Sequence, residues 1–316
     1  MITWITRCVV LIHLTCSYSM NLNQIELLQV LQETQLNLSK AALKMHVVQS
    51  AVSRQLQLFE AELGAPLFER NGKKLVGLTS LGQRIMQEVS SINQAKQNIQ
   101  SIAADFMDAE QGIIHIATTH AQAKYFLPTP IQRFRAKYPK VRIYMQQTSP
   151  EHLIDQLHRH KADIAICTEK VQEDAELITK HCYEWHHAAV VPHGHPLCEG
   201  EISLQRLTAF PILTYSYGFT GRSNIEIALQ KAGLELDVIL SAADSDVIKT
   251  YVRSGLGVGL ITDKAYDPEA DADLVVRSLE DFIPSSSAKI AYLKNNFLPS
   301  YTQHFIEEML IAAKEI

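Results

Sequence analysis

The sequence lacks the cysteine pattern of a disulfide framework or a zinc site. Its five cysteines are odd in number and widely spaced, and no two of them form a CxxC pair. This usage is typical of reduced thiols, so we expect a cytoplasmic protein. Low-complexity tracts and internal repeats are absent as well.

Motifs of common catalytic sites are also missing. There is no P-loop, no nucleophile elbow and no full GxGxxG fingerprint, because GLGVG at 255–259 lacks the required spacing. Histidines cluster in YEWHHAAVVPHGHPL, but no cysteine or carboxylate completes a metal-ligand spacing there. The sequence therefore predicts no enzyme, no metal site and no cofactor. The clustered histidines are His186, His187, His193 and His195.

A net positive charge and a membrane-spanning apolar run are absent too. The formal net charge is -5, so any surface that binds nucleic acid must be local. Residues 1–19 contain the apolar stretch CVVLIHLTC, which is too short to span a bilayer and has no A-x-A-like cleavage site after it. We favour Met20 as the natural initiator and residues 1–19 as upstream sequence. A targeting segment is the alternative.

From Asn23 onward, apolar residues follow helical spacing. Asn23 is a plausible N-cap of a first helix, Ser39 of a second, and a third helix runs through QSAVSRQLQLFEAEL until Gly64. This is the spacing of a helix-turn-helix, whose third helix begins with polar residues able to meet base edges. The candidate base contacts are Gln49, Ser50, Ser53 and Arg54. An ordinary solvated helix surface is the alternative.

A hairpin follows the three helices. PLFERNGKKLVGLT reads as two short strands around Asn71-Gly72, with Arg70, Lys73 and Lys74 at the tip. Such a wing would place its cations on backbone phosphates. Six Lys and Arg against five Glu leave residues 20–78 with one net positive charge, so we expect dimerisation to raise the affinity.

The next segment predicts a long helix capped by Thr79. Within it Ile85, Ile92, Ile99 and Phe106 recur at every seventh residue, which is the spacing of a short coiled coil. Lys96 on the same seam weakens this pattern. The alternative is a helix that lies on its own domain.

After Gly112 short apolar runs alternate with helical stretches, which predicts parallel sheets covered by helices on both faces. In such folds ligands bind beyond the carboxyl ends of strands, where helix N-termini present free amides. Three strand-to-helix junctions carry hydroxyl, imidazole or amide groups and almost no charge, which suits a small anion or a zwitterion. The candidate effector-binding residues are Thr118, Thr119, His120, Gln122, Thr168, Tyr215 and Thr220. Simple helix capping is the alternative for each of them.

Both halves of the chain resemble one family. NLSKAALKMHVVQSAVSRQLQLFEAELGAPLFER is similar to the winged helix-turn-helix of LysR-type transcriptional regulators. Within that family, ATTHAQAKYFLP, DIAICTE, TYSYGFTGRS and DSDVIKTYVRSGLGVG resemble the branch of CysB and Cbl, regulators of sulfur assimilation. The resemblance covers essentially the whole chain from Met20.

The resemblance implies a tetrameric activator that binds double-stranded DNA, RNA polymerase and a small effector. The implied effectors are sulfate, thiosulfate, adenosine phosphosulfate and O- or N-acetylserine. By motif match, the family's sulfate-binding groups fall on Thr119, Gln122, Thr168 and Thr220. Two positions depart from the family. Ala121 replaces a threonine, and the loss of a hydrogen bond to a charged ligand is worth about 1.5–3 kcal/mol; Val48 replaces a Ser or Thr that caps the reading helix.

The resemblance also implies an α/β fold with a winged helix-turn-helix, a long linker helix and a two-lobed effector domain of the periplasmic-binding-protein type. The sharpest rival is a periplasmic sulfate- or amino-acid-binding protein, which shares the two-lobed fold but has no use for a helix-turn-helix. The expected divisions are 1–19 as an upstream extension, 20–78 as the DNA-binding domain, 79–111 as the linker helix, 112–182 with 285–316 as lobe I and 183–284 as lobe II.

Overall fold

The computed structural model describes residues 20–168 and 174–316. The expectation for residues 1–19 lies outside the described residues. Two compact units divide the chain between Gln97 and Asn98. Among the described helices, none is both long and apolar enough to cross a membrane.

The first unit contains the three helices and the hairpin that the sequence predicts. Their apolar faces meet in a single core, in which Leu28, Leu56 and Phe59 are buried. The elements are α1 (Leu22–Glu33), α2 (Leu38–Lys44), α3 (Gln49–Leu63), β1 (Phe68–Asn71) and β2 (Lys74–Leu78).

Asparagines cap the first two helices at positions other than those predicted. Asn21, not Asn23, caps α1 by accepting a hydrogen bond from the amide of Gln24. The side chain of Gln24 in turn accepts from the amide of Asn21, which completes a capping box. Asn37, not Ser39, caps α2 by accepting from two amides of its first turn. The reciprocal bonds decide which residue takes the cap.

One long helix, α4 (Ser80–Met107), follows the hairpin. Thr79 caps it as predicted, because its Oγ1 accepts from a backbone amide of the first turn at 3.0 Å. Of the heptad positions, Val89 is buried in the core of the first unit, whereas Ile99 and Phe106 are 69% and 89% exposed. The last turns of α4 thus carry an apolar stripe that no described residue covers.

The second unit contains two five-stranded sheets. Its strands are β3 (Gly112–Thr118), β4 (Val141–Gln147), β5 (Ile164–Cys167), β6 (Leu177–Trp185), β7 (His187–Pro192), β8 (Ile212–Tyr215), β9 (Val238–Ala242), β10 (Val258–Thr262), β11 (Leu274–Ser278) and β12 (Ser286–Leu293). Its helices are α5 (Pro128–Lys137), α6 (Pro150–His158), α7 (Leu204–Leu207), α8 (Thr220–Ala232), α9 (Ser245–Arg253) and α10 (Ser300–Ala312).

The two sheets define two lobes. The first sheet has the strand order β4-β3-β5-β12-β6 and the second has the order β11-β7-β10-β8-β9. Separate cores lie on the faces of the first sheet, one around Phe134 and Phe305 and the other around Leu153 and Leu157. We call the first sheet with its helices lobe I, and the second lobe II.

Both sheets are mixed, whereas the alternation of strands and helices predicted parallel ones. In lobe I, β12 runs antiparallel to β5 and β6, and in lobe II, β7 runs antiparallel to β10 and β11. The cause is the path of the chain, which leaves lobe I after Trp185, builds lobe II and re-enters lobe I at Ser286. Local sequence patterns do not indicate that the chain returns to lobe I.

Candidate functional site

The exposed start of α3 carries the polar residues that were predicted to read DNA. Gln49, Ser50 and Arg54 are exposed and Ser53 is half-buried, while the opposite face of the helix enters the core. Val48 occupies the N-cap position, so no side chain satisfies the first amides of α3. The helix therefore presents polar side chains at an end that has no side-chain cap.

The hairpin β1–β2 pairs as predicted and turns at Gly72, which has a φ of +62°. Arg70 was predicted to meet a phosphate, but its Nη2 donates to Glu60 Oε2 on α3 at 2.7 Å. The other carboxylate oxygen of Glu60 accepts hydrogen bonds from two backbone amides at the start of β1. Arg70 thus ties the wing to α3. Lys73 and Lys74 are exposed and form no ion pair within the described chain.

A cleft in the second unit brings together polar residues from three strand ends. It encloses about 600 Å³ of space not filled by protein atoms, including its open mouth. Of the residues predicted to bind an effector, Thr119, Gln122, Thr168 and Tyr215 line this cleft, and all four are buried. The side chain of Thr220 lies outside what the structure describes.

The other two predicted residues do not line the cleft. Thr118 is fully buried and donates to the carbonyl of Ile166 at 3.3 Å, which supports the sheet of lobe I. His120 lies with Nδ1 3.1 Å from Gln147 Oε1 and with Nε2 3.0 Å from Asp244 Oδ2. Because Asp244 belongs to lobe II, His120 bridges the two lobes.

The strand ends explain why these residues meet. Strands β3 and β5 run parallel side by side, so their carboxyl ends carry Thr119 and Thr168 to the same edge of lobe I. Directly after β3, Gln122–Phe126 forms a π-helical turn. On the opposite wall, α8 begins next to Tyr215, and a Cβ at Gly221 would lie 3.1 Å from that ring. A glycine at this position lets the first turn of α8 approach the cleft closely.

Tyr183 fixes the orientation of Gln122. Its hydroxyl donates to Gln122 Oε1 at 2.5 Å, and burial raises the pKa of Tyr183, so the phenol stays protonated and remains the donor. With Oε1 occupied, the Nε2 group of Gln122 is left to donate. Gln122 therefore offers N–H groups rather than a carbonyl oxygen.

A further buried group, Trp185, adds to this donor character. The indole N–H of Trp185 lines the cleft and finds no hydrogen-bond partner among the residues that the structure describes. Nearby, His187 Nε2 lies 2.9 Å from the carbonyl of Gly221, and burial lowers the pKa of His187 to about 4. His187 is therefore neutral at pH 7 and adds no charge to the wall.

The sequence did not identify several residues of the cleft. Its aromatic wall comes from Tyr125, Tyr183, Trp185 and Phe219, which by sequence are ordinary apolar residues near strand and helix ends. Among the described residues of the lining, the one cation is Lys264, whose Nζ lies 3.5 Å from Asp263. In the sequence, the one indication that these aromatic residues belong to the cleft is their nearness to the predicted junctions, as with Phe219 in GFTGRS.

A second interlobe contact lies beside the cleft. Tyr125 of lobe I donates to Asp246 Oδ1 on α9 at 2.6 Å and accepts from Lys249 Nζ at 3.1 Å, while Lys124 forms an ion pair with Asp246. Lys249 is itself buried, 2.6 Å from the buried carboxylate of Asp271. We call Lys124, Tyr125, Asp246 and Lys249 the interlobe latch.

One group of side chains has the spacing of metal ligands, although no metal was predicted. The ligand atoms of His120, Asp244 and Asp246 lie within 4.8 Å of one another. Two ammonium groups, those of Lys124 and Lys249, already neutralise Asp246, which disfavours a cation there.

The clustered histidines make separate contacts instead of sharing a site. His193 Nε2 lies 3.0 Å from the carbonyl of Ala272, and His195 Nδ1 accepts from the amide of Leu197. His187 contacts the carbonyl of Gly221 behind the cleft wall.

Two family descriptions match the chain. "Bacterial regulatory helix-turn-helix protein, lysR family" matches residues 22–83, and "LysR substrate binding domain" matches residues 108–313. Together they cover most of both units and leave residues 84–107, in α4, between the two matches.

Individual proteins are similar over nearly the same range. The transcriptional regulator SsuR of Burkholderia cenocepacia is 38% identical over 289 residues, which is 91% of this chain and 94% of that protein. The regulator CysB of the same organism is 37% identical, over 91% of this chain and 92% of its own length. The crystal structure of the cofactor-binding domain of the Cbl regulator superposes with a TM-score of 0.61 at 36% identity, covering 63% of this chain and 88% of that one.

Proposed function

The chain belongs to the LysR family of DNA-binding transcriptional regulators, and we propose that it controls sulfur-assimilation genes in response to a small effector bound in the cleft. Sulfate, thiosulfate, adenosine phosphosulfate and O- or N-acetylserine are the candidate effectors. Relatives named SsuR and CysB support the sulfur assignment. The helix-turn-helix match disfavours the rival periplasmic binding protein.

The observation that carries the effector proposal is the convergence of neutral donors on one cleft. Thr119, Gln122 and Trp185 line it, and α8 begins at its wall. Helix N-termini and neutral N–H or O–H groups bind small anions without a buried counter-charge. A ligand that touches both lobes would favour their closure, and closure would alter how the paired wings meet DNA.

For the DNA surface, we assign base contacts to the polar start of α3 and phosphate contacts to the wing. Arg54 and Gln49 suit bidentate contacts with guanine and adenine, and Ser50 and Ser53 are short enough to let the helix enter the groove. Lys73 and Lys74 supply the phosphate contacts. The ion pair with Glu60 gives Arg70 a positioning role at the wing in addition to any phosphate contact.

Self-association is part of the proposal. Ile99, Ile102, Phe106 and Met107 are exposed near the end of α4, and an uncovered apolar stripe of this kind marks an interface. We assign it to a homodimer, which can pair again into a homotetramer, with RNA polymerase as a further partner in the cytoplasm. The proposed domains are 20–78, 79–111, 112–185 with 286–316, and 186–285; the lobe boundary moves from the expected 182 to 185 because β6 of lobe I ends at Trp185.

Substitution of Arg54 tests the DNA side of the proposal. Loss of a bidentate base contact is worth about 1–3 kcal/mol, so Arg54→Ala should weaken binding to the selected operator roughly 5- to 150-fold. Arg54→Lys keeps the charge but loses the planar guanidinium that makes the bidentate contact. It should therefore reduce specific binding while leaving nonspecific binding nearly unchanged. The measurement is a DNA-binding titration with operator and scrambled duplexes. Unchanged operator affinity in both variants would remove α3 as the reading helix.

Thermal shifts of the full chain test the effector side. Sulfate, thiosulfate, adenosine phosphosulfate and the acetylserines are added separately, and a true effector raises the unfolding temperature. Thr119→Val and Thr168→Val should abolish that increase because they remove hydroxyls from the cleft. Thr129→Val, on the exposed start of α5, is the matched control and should retain it. If the cleft variants retained the full shift, the assignment of the cleft would fail.

A further inference from the structure

We propose that the preferred effector is an organic monoanion of the sulfonate or sulfate-ester type, with its oxygen atoms on the neutral donors and its apolar substituent against the aromatic wall. This inference rests on the proposed function and names the chemical class that its cleft selects. It differs from inorganic sulfate in charge, in size and in the presence of an apolar part.

The composition of the lining carries the first step. Thr119, Gln122 and Trp185 supply polar donors, but they are only part of the wall. Tyr125 and Phe219 also line the cleft, as do the small apolar residues Ala121, Pro150 and Ala243. An inorganic ion contacts only the donors and leaves this apolar surface in water. A ligand with an apolar substituent removes it from water.

The charge of the cleft carries the second step. The described lining contains a single cation, Lys264, and Asp263 lies 3.5 Å from its Nζ. His187 behind the wall stays neutral, because burial lowers its pKa to about 4. The wall therefore offers a ligand at most one ammonium group, which Asp263 already offsets in part. Each further negative charge on the ligand adds a desolvation cost that nothing in the described lining repays, so a monoanion is favoured over a dianion. Sulfonates and sulfate monoesters carry one negative charge, and inorganic sulfate carries two.

The hydrogen-bonding character carries the third step. Tyr183 occupies Gln122 Oε1, so Gln122 presents its N–H groups, and the indole of Trp185 can only donate. A sulfonate or sulfate ester offers three acceptor oxygens and no proton at pH 7. A carboxylate has two coplanar oxygens and covers fewer diverging donors. The tetrahedral oxygen group is therefore the better match for several separate donors.

Ala121 is a residue at which the size of the ligand can be tested. Ala121 lines the cleft directly before Gln122 in the chain. A threonine there would add a hydroxyl and reduce the space for a substituent. We therefore expect Ala121→Thr to favour small inorganic anions and to weaken ligands with long substituents.

Calorimetric titration of the full-length protein with a ligand series tests the proposal. The series is methane-, propane- and pentanesulfonate, the matching alkyl sulfates, hexanoate and inorganic sulfate. Each methylene buried should lower Kd roughly fourfold, so we expect pentanesulfonate to bind at least tenfold more tightly than methanesulfonate and more tightly than sulfate. The relative affinity of sulfonates and alkyl sulfates then shows which of the two ligand types the cleft prefers.

Substitutions in the cleft lining test where the alkyl chain of the ligand binds. Phe219→Ala should flatten the dependence on chain length while methanesulfonate binding changes little, and Ala121→Thr should flatten it without removing an aromatic group. Tyr144→Ala, at an exposed residue of β4 outside the cleft lining, is the control and should keep the full dependence. Lys264→Met should weaken every anion of the series.

Several results would overturn the inference. Sulfate that binds as tightly as pentanesulfonate, hexanoate that equals it, or a chain-length dependence that survives in both cleft variants each contradict the proposed class. If sulfate alone binds and changes operator binding, the class is wrong while the proposed function stands. If no anion binds and the operator response is insensitive to all of them, both fail.

Discussion

Removal of one hydroxyl group from the interlobe latch gives the sharpest prediction. Tyr125→Phe keeps the ring that lines the cleft but removes the donor to Asp246 and the acceptor for Lys249, at 2.6 and 3.1 Å. Both partners are charged, so these bonds belong to the stronger class. No other atom of Tyr125 changes, which separates the latch from the shape of the cleft.

The expected magnitude follows from what remains in place. A hydrogen bond to a charged group contributes about 1.5–3 kcal/mol. Asp246 retains Lys124 and Lys249 retains Asp271, so we expect the lower end, about 1.5 kcal/mol. For a unit of this size that corresponds to a fall in Tm of roughly 3–6 °C. If the effector binds the latched form, effector affinity should also fall, by up to roughly tenfold.

The assay compares two tyrosine variants of the full chain. Tyr292→Phe removes a phenolic hydroxyl from β12, away from the latch, and serves as the control. Unfolding is followed by calorimetry, and effector binding by titration with the tightest anion found. If Tyr125→Phe matches Tyr292→Phe in both Tm and effector Kd, the latch does not hold the lobes together.

Three other substitutions or conditions follow from the same structure. Burial by itself raises the pKa of Asp246, but hydrogen bonds from Lys124, Tyr125 and Lys249 outweigh it and lower the pKa to about 2. The ionised Asp246 therefore contributes roughly 2 kcal/mol to the free energy of unfolding above pH 4, and this contribution is lost as the pH falls towards 2. In an Asp246→Asn variant, the free energy of unfolding should fall less steeply between pH 4 and pH 2. Lys249→Met should cost about 3 kcal/mol in urea unfolding, because it leaves Arg253 as the one described ion-pair partner of the buried Asp271; a cost below 1 kcal/mol would contradict this. Val48→Ser should stabilise the first unit by about 1 kcal/mol by capping α3, and an unchanged urea midpoint for that unit would show that solvent already satisfies those amides.

Periodicity predicted most elements because it is a local property. The three helices, the hairpin and the capped helix α4 were all recognisable from apolar spacing and turn residues. The mixed direction of the sheets was not, because the antiparallel strands β7 and β12 arise where the chain changes lobes. Likewise, the cap at Asn21 depends on a reciprocal bond with Gln24, which residue preferences alone do not rank above Asn23.

The polar half of the cleft was predictable and the apolar half was not. Thr119, Gln122 and Thr168 stood out because polar groups recur at strand-to-helix junctions, where α/β folds bind ligands. Trp185 and Phe219 did not, because an apolar residue at a strand or helix end is indistinguishable in sequence from one that packs in the core. Their role becomes visible only when the two lobes face each other across the cleft.

The π-helical turn Gln122–Phe126 connects recognition of the ligand with closure of the lobes. Its first residue, Gln122, presents donors to the cleft, and three residues later Tyr125 both lines the cleft and bonds to α9 of lobe II. Single π-turns of this kind are rare and occur mostly at functional sites. Because one turn holds both groups, we expect a ligand that draws Gln122 inward to reposition Tyr125 as well, which would couple effector binding to lobe closure. Linkage requires this coupling to be reciprocal: whatever strengthens the contact between Tyr125 and Asp246 must also tighten effector binding.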